Sequence, residues 1–235
     1  MDLEANHNLN IRRSSRIIGI CFLFMFFFGV FAEFVVRTSL IQWENPAITF
    51  NNIQSNLYLF NTGIFAWMVV VFLDLLVVVA FYYLLKTGDN FMSLFMFSLR
   101  LLYVAIKGSA LVGLLMAQNV VARTDTSAIT ESNIHQVMEL LKLHYYGFAL
   151  ALFFFGIHLL ALAIAFRKLR RFPKALIWSL FAAGIGYSLN SLVTIFLEDL
   201  EVVHSTILII FIFPMTFSEL IVGLWLWVKH EKLNA

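Results

Sequence analysis

Long apolar runs, separated by short polar breaks, dominate this chain. Six of them reach the roughly 20 helical residues needed to cross about 30 Å of hydrocarbon. They run approximately Ile17–Val36, Ile64–Leu85, Phe91–Ala117, Tyr145–Phe166, Ala175–Leu197 and Thr206–Val228. The turn Lys86-Thr87-Gly88-Asp89-Asn90 separates the second from the third, and Pro173 breaks the chain between the fourth and fifth. The pattern predicts an all-α integral membrane bundle of six transmembrane helices, forming one transmembrane domain over residues 1–235. Two further segments, 47–60 and 130–144, have the length of short interfacial helices on the outer side. In the second, Ile134, Val137, Met138 and Leu141 recur at helical spacing, with Glu131 and His135 four apart on the polar side. That segment reads as an amphipathic lead-in to the next span, or as a lid over an outward-opening cavity.

Composition supports this solvent. Of 235 residues, 61% are hydrophobic and 13% charged, more apolar surface than one soluble core hides. The net charge of +2 gives no reason to expect a nucleic-acid partner. Cys21 is the only cysteine, which excludes an intrachain disulfide and any multi-cysteine metal site. The first run follows Arg12, Arg13 and Arg16, as a secretory signal would. It is too long for a signal core and no small-x-small cleavage pattern closes it, so it reads as a retained helix.

The placement of Lys and Arg orients the bundle. Arg12, Arg13 and Arg16 precede the first span, and Lys86 lies between the second and third. Arg167, Lys168, Arg170, Arg171 and Lys174 crowd the break between the fourth and fifth, and Lys229 and Lys232 follow the sixth. All fall on one side, which is therefore cytoplasmic and carries both termini. The other side has Arg37, Arg123 and Lys142 against Glu44, Asp125, Glu131, Glu139, Glu198, Asp199 and Glu201. The basic loop acts as a topology determinant, and Arg167, Lys168, Arg170 and Arg171 also suit anionic lipid head groups. The lipid bilayer is thus the first expected partner, in a cell inner (plasma) membrane.

A charge at mid-bilayer costs about 2.5–3.5 kcal/mol on insertion scales, so intramembrane ionisable groups turn inward and pair. Asp74, Arg100, His158 and Glu219 each lie about eight to eleven residues from the basic end of their span, which puts all four in one layer. A guanidinium fork suits two carboxylates. Lys107 is seven residues from Arg100 and shares its stripe; Asn190 lies on a stripe with Tyr187 and Thr194. Pro214 precedes a stripe of Thr216, Glu219 and Gly223, where it would kink the helix. Glu33 and His144 sit toward the outer ends of the first and fourth spans. Arg37 is four residues beyond Glu33, a favourable local pair. His144 and His158 are fourteen residues, about 20 Å, apart, so they do not share a metal. No metal and no cofactor are expected. The sequence has no H-E-x-x-H, G-x-S-x-G, P-loop or G-x-G-x-x-G motif, which weighs against an enzyme.

Several segments in order resemble the bacterial multi-pass membrane proteins known only as domain of unknown function 4386. They are Phe31-Ala32-Glu33-Phe34-Val35-Val36-Arg37 with Thr38-Ser39-Leu40-Ile41, then Asp74, then Phe97-Ser98-Leu99-Arg100-Leu101. His144-Tyr145-Tyr146-Gly147, Gly156-Ile157-His158-Leu159-Leu160, Gly186-Tyr187-Ser188-Leu189-Asn190-Ser191, Ser218-Glu219-Leu220 and Leu224-Trp225-Leu226-Trp227 complete the set. The resemblance runs from about residue 12 to 230. It implies an inner-membrane bundle with buried polar residues and no established activity. Asn190 stands where it implies an aspartate, so no acid role carries over there.

Three functions follow from these residues. The first is binding or transport of a small molecule, lipid or ion, with Asp74, Arg100, His158, Glu219, Asn190, Lys107, Glu33 and His144 as candidate ligand-binding residues. The second is a structural or signalling protein whose charges are ion pairs fixing helix register. The third is an intramembrane enzyme in which Glu219 or Asp74 works with His158 as acid and base. Binding or transport ranks first.

Overall fold

A computed structural model describes residues 2–85, 90–170, 172–197 and 200–229. The expected turn at 86–89, and Arg171, Glu198, Asp199 and Lys232, lie outside the described residues. Among the described residues every regular element is helical. Helix α1 (Asp2–Val30) continues through a π-helical stretch (Phe31–Arg37) and one last α-turn (Thr38–Leu40). Then come α2 (Pro46–Ser55), α3 (Leu57–Leu85), α4 (Asn90–Arg123), a 3₁₀ turn (Thr126–Ala128), α5 (Glu131–Leu169), α6 (Lys174–Phe196) and α7 (Glu201–Lys229). Among the described residues six helices are long and apolar enough to cross a membrane: Asn10–Leu40, Leu57–Leu85, Asn90–Arg123, Glu131–Leu169, Lys174–Phe196 and Val202–Lys229. They leave Phe27, Phe65, Phe72 and Phe213 about 60% exposed or more, apolar surface that lipid covers.

The helices outrun the apolar stretches because polar residues cap and extend them. Asn45 caps α2: its side chain accepts the Ile48 N–H at 3.3 Å, with Pro46 at the first helical position. At the start of α5, Thr130 Oγ1 accepts the Asn133 N–H at 3.3 Å while Asn133 Oδ1 accepts the Thr130 N–H at 3.2 Å, a reciprocal cap. Residues 130–144 therefore form no separate helix. They open α5, which runs unbroken to Leu169. Before it, the Ser127 N–H donates to Asp125 Oδ1 at 3.2 Å and holds that carboxyl below its usual range. At the other end of α5, Arg170 takes the left-handed conformation that stops the helix (φ 53°), and Pro173 caps α6. In the π-helical stretch the Thr38 N–H reaches back five residues to the Glu33 carbonyl.

The chain divides into two compact units. One comprises Met1–Phe24, Leu73–Ala105 and Ala149–Ala235; the other comprises Met25–Phe72 and Ile106–Phe148. In the second unit, the segment expected as an outer interfacial helix, α2, is a core element. Phe50 and Ile53, both fully buried, join Leu114, Ala117 and Val121 of α4 and Val137, Met138 and Leu141 of α5. The apolar stripe of residues 134–141 is thus used in packing, where a lid would have to release it. Gln54 Nε2 donates to the Thr124 carbonyl at 2.9 Å and ties α2 to the end of α4. Gln54→Ala is expected to cost about 1 kcal/mol and to raise amide exchange across 46–55; unchanged protection there would contradict this role for the bond.

The first unit is held by close helix approach. A Cβ at Gly184 of α6 would stand 2.8 Å from the Gly156 carbonyl of α5, so the two backbones touch where both residues lack side chains. Helices α6 and α7 meet around Pro214, which lacks an N–H and interrupts the ladder inside α7. The Ser218 hydroxyl donates to the Pro214 carbonyl and, at 3.2 Å, to the Ser179 carbonyl of α6. Tyr187 Oη of α6 donates to the Met215 carbonyl at 2.6 Å. Tyr187→Phe is expected to lower stability by about 0.5–1.5 kcal/mol, read as the unfolding midpoint in detergent; an unchanged midpoint would show the bond to be idle.

Candidate functional site

Four of the residues expected in one layer meet in the first unit. Arg100 of α4, 1% exposed, sends Nη2 to Asp74 Oδ1 of α3 at 2.7 Å and Nη1 to Glu219 Oε1 of α7 at 2.6 Å. Its Nη1 also lies 3.4 Å from His158 Nε2 of α5. The planar fork thus joins four helices through one side chain. Arg is the residue for this, since its donors are fixed in direction and stay charged.

His158 is oriented from behind. Its Nδ1 is 3.1 Å from the Met96 carbonyl, an acceptor only, so Nδ1–H donates there. Nε2 is then left as the acceptor facing Arg100. The ring's orientation is thus set by a backbone atom.

Three phenyl rings surround the guanidinium. Arg100 Cζ lies 5.3 Å from the ring centre of Phe22, 5.8 Å from Phe81 and 5.4 Å from Phe155. These are cation–π distances, and the rings pack beside an ion pair, Arg100 with Asp74, that is itself almost wholly buried. Phe155 continues outward to Tyr103 at 4.7 Å and Tyr187 at 5.1 Å between ring centres. Arg100 Nε is buried without a hydrogen-bond partner among the described residues.

The phenylalanines were not singled out from sequence. Phe155 stands three residues before His158 and Phe81 seven after Asp74, so helical spacing carries a signal for both. Phe22 has no intramembrane charge near it on α1, so nothing marks it.

The other candidates lie elsewhere. Asn190 is in the same unit, but its Oδ1 is buried with no partner among the described residues. Lys107, 1% exposed, belongs to the second unit. So does His144, whose Nδ1–H donates to the Ala110 carbonyl at 3.1 Å. Glu33 sits in the π-helical stretch and pairs with Arg37, Oε1 to Nη2 at 2.6 Å, with both side chains about a third exposed. Among the described residues no group of three or more His, Cys, Asp or Glu is placed to hold a metal ion.

One small void adjoins the cluster, and a larger cavity shares part of that void's wall. A void of about 10 Å³ is bounded by Val78, Phe81, Phe97, Arg100 and His158, together with Leu85, Ser93 and Met96. That is at the lower limit for one water molecule. Leu85, Ser93 and Met96 also wall a larger cavity of about 190 Å³, completed by Met92, Ala165, Lys168 and Leu169. The larger space lies among the C-terminal ends of α3 and α5 and the N-terminal end of α4, where Lys168 stands.

Six helices apolar enough to cross a membrane, together with a buried ionic cluster, define a multi-pass α-helical membrane protein in contact with the lipid bilayer. The chain belongs to the family described as domain of unknown function (DUF4386), which it matches over residues 17–229. No curated protein and no solved structure matches it.

Proposed function

We propose that this protein binds a small molecule, lipid or ion, with the Arg100 cluster as the polar end of its site. The observation that carries the reading is the shared wall of Leu85, Ser93 and Met96, which brings the larger cavity to the void beside Arg100 and His158. Asp74, Arg100, His158 and Glu219 are the residues assigned to it; Asn190, with an unsatisfied buried oxygen, is a further polar group of the same unit. Lys107, Glu33 and His144 are not assigned a part. In this reading the basic residues that close α5 face the cytoplasm, both termini lie on that side of an inner (plasma) membrane, and residues 1–235 act as one transmembrane domain. The continuous family match across all six helices supports the single domain. Arg167, Lys168 and Arg170 at the end of α5 supply charge for anionic lipid head groups.

One observation favours the structural reading instead. Arg100 is held by two carboxylates, one imidazole and three rings, which is what a clamp between helices requires. An enzyme has less support, because the void at the cluster has room for a water molecule and not for a substrate.

Native mass spectrometry of the protein released from membranes separates the first two readings. The comparison is with Asp74→Leu/Arg100→Met/Glu219→Leu, which removes the charges together and keeps side-chain volume. Binding at the cluster predicts an adduct on the wild type that the folded triple variant lacks. The same spectrum from both would leave the charges as a clamp.

A further inference from the structure

We infer that the first turns of the α1 span hold an anionic phospholipid, its phosphate on Arg12, Arg13 and Arg16 and its chain along Ile17 and Ile20. This site is separate from the one proposed at Arg100 and does not rest on it.

The three arginines stand at i, i+1 and i+4 where the Asn10–Leu40 span begins. Packing fixes which way they face. Ile11, Ser14, Ser15 and Ile18 are all buried, so one side of α1 is committed to the protein, while Arg12, Arg13 and Arg16 are exposed. None of the three makes a hydrogen bond or an ion pair with another described residue. Two other arginines within spans, Arg37 and Arg100, each hold a carboxylate within 2.7 Å. The chain thus supplies an anion to those two and leaves three cations side by side without one.

With Ile17 and Ile20 the arginines line a depression of about 610 Å³, within the roughly 300–1,000 Å³ of small-molecule sites. Its chemistry is graded along the helix. Ile17 is one turn below Arg13, Ile20 one turn below Arg16, and Phe24 one turn below Ile20. Ile20 is 41% and Phe24 50% exposed, so the basic face runs directly into apolar surface that lipid chains cover. A free phosphate would use the arginines alone; an acidic lipid uses the whole stripe. Guanidinium groups grip phosphate oxygens through paired parallel bonds. Their long stems lie on apolar surface while the charged heads stay at the interface. Basic residues at a span's end also direct topology, but charge is enough for that; it requires neither guanidinium forks nor the isoleucine shelf.

Native mass spectrometry of the full chain in detergent, titrated with dioctanoyl-phosphatidylglycerol, tests the inference. One equivalent is expected to bind at least about tenfold more tightly than dioctanoyl-phosphatidylcholine, which has the same chains and no net charge. The same margin is expected over glycerol phosphate, which has the charge and no chains. Arg12→Gln/Arg13→Gln/Arg16→Gln should weaken this adduct at least about tenfold, and Arg167→Gln/Arg170→Gln by less than about twofold. If the glutamine variant does not insert, Arg12→Lys/Arg13→Lys/Arg16→Lys keeps the charge that directs topology and lacks the fork; its expected loss is about fivefold. Equal binding of the choline lipid, equal binding of glycerol phosphate, or an adduct that the α1 variants leave unchanged would each overturn the inference. Asp74→Leu/Arg100→Met/Glu219→Leu should keep the adduct, so this site and the one at the cluster fail separately.

Discussion

Arg100→Ala is expected to cost about 3–5 kcal/mol of folding stability, the largest effect of any single substitution in the first unit. The guanidinium is the counter-charge for Asp74 at 2.7 Å and Glu219 at 2.6 Å, and Asp74 is fully buried. Truncation takes that counter-charge away in a medium that solvates neither carboxylate. It also opens a hole among Phe22, Phe81 and Phe155. Arg100→Lys is expected to recover only part of the loss, because one ammonium group cannot span two carboxylates and an imidazole on three helices as a planar fork does. Asp74→Leu/Arg100→Met/Glu219→Leu is expected to unfold close to the wild-type midpoint. The cost in the single variant comes from charge left without its counter-charge, and the triple variant has none to leave. Unfolding midpoints in one detergent give the comparison. A single variant as stable as the wild type would mean that Arg100 contributes nothing net to the cluster.

Gly113→Ala is expected to be the most damaging one-carbon change in the second unit, by about 1–3 kcal/mol or more. A Cβ there would lie 2.5 Å from the Leu140 carbonyl and 3.0 Å from the His144 amide nitrogen of α5. Backbone atoms cannot rotate away, so α4 and α5 would have to separate. That separation would strain the bond from His144 to the Ala110 carbonyl and the packing of Leu111 and Leu114 on Leu141. Gly29→Ala is the control. A Cβ at Gly29 meets nothing within 4 Å, so the change should be neutral or stabilise α1 by up to about 1 kcal/mol through helix propensity. Unfolding midpoints again decide, and a Gly113 variant that behaves like the Gly29 variant would contradict the close approach.

The sequence carried the number of crossing helices because hydrocarbon thickness sets a length that composition reveals. It also carried the cluster. Asp74, Arg100, His158 and Glu219 were placed in one layer by counting residues from the basic helix ends, and a charge in lipid has few places to go. Helix ends were less legible. An apolar window stops at the last apolar residue, whereas the Thr130–Asn133 cap starts α5 well before Tyr145. That signal was present, in a pair of polar residues three apart. The packing role of α2 was not visible, since Phe50 and Ile53 look the same whether they meet lipid or Leu141. Nor were the π-helical stretch around Glu33, or the cavity at the basic end and Phe22 over Arg100, the last two of which depend on how helices distant in sequence pack together.

If the cluster is a binding site, it is reached from the basic side, through the wall of Leu85, Ser93 and Met96 that the void beside Arg100 shares with the larger cavity. Single cysteines at Met96, in that wall, and at Val78, which lines only the void, test it in a Cys21→Ser background. A membrane-impermeant thiol reagent is applied to intact cells and to inverted vesicles. Labelling in inverted vesicles, faster at position 96 than at 78, and none in intact cells is the predicted result. A folded protein labelled at neither position from either face would contradict the claim, and the cluster would then be a sealed clamp between helices.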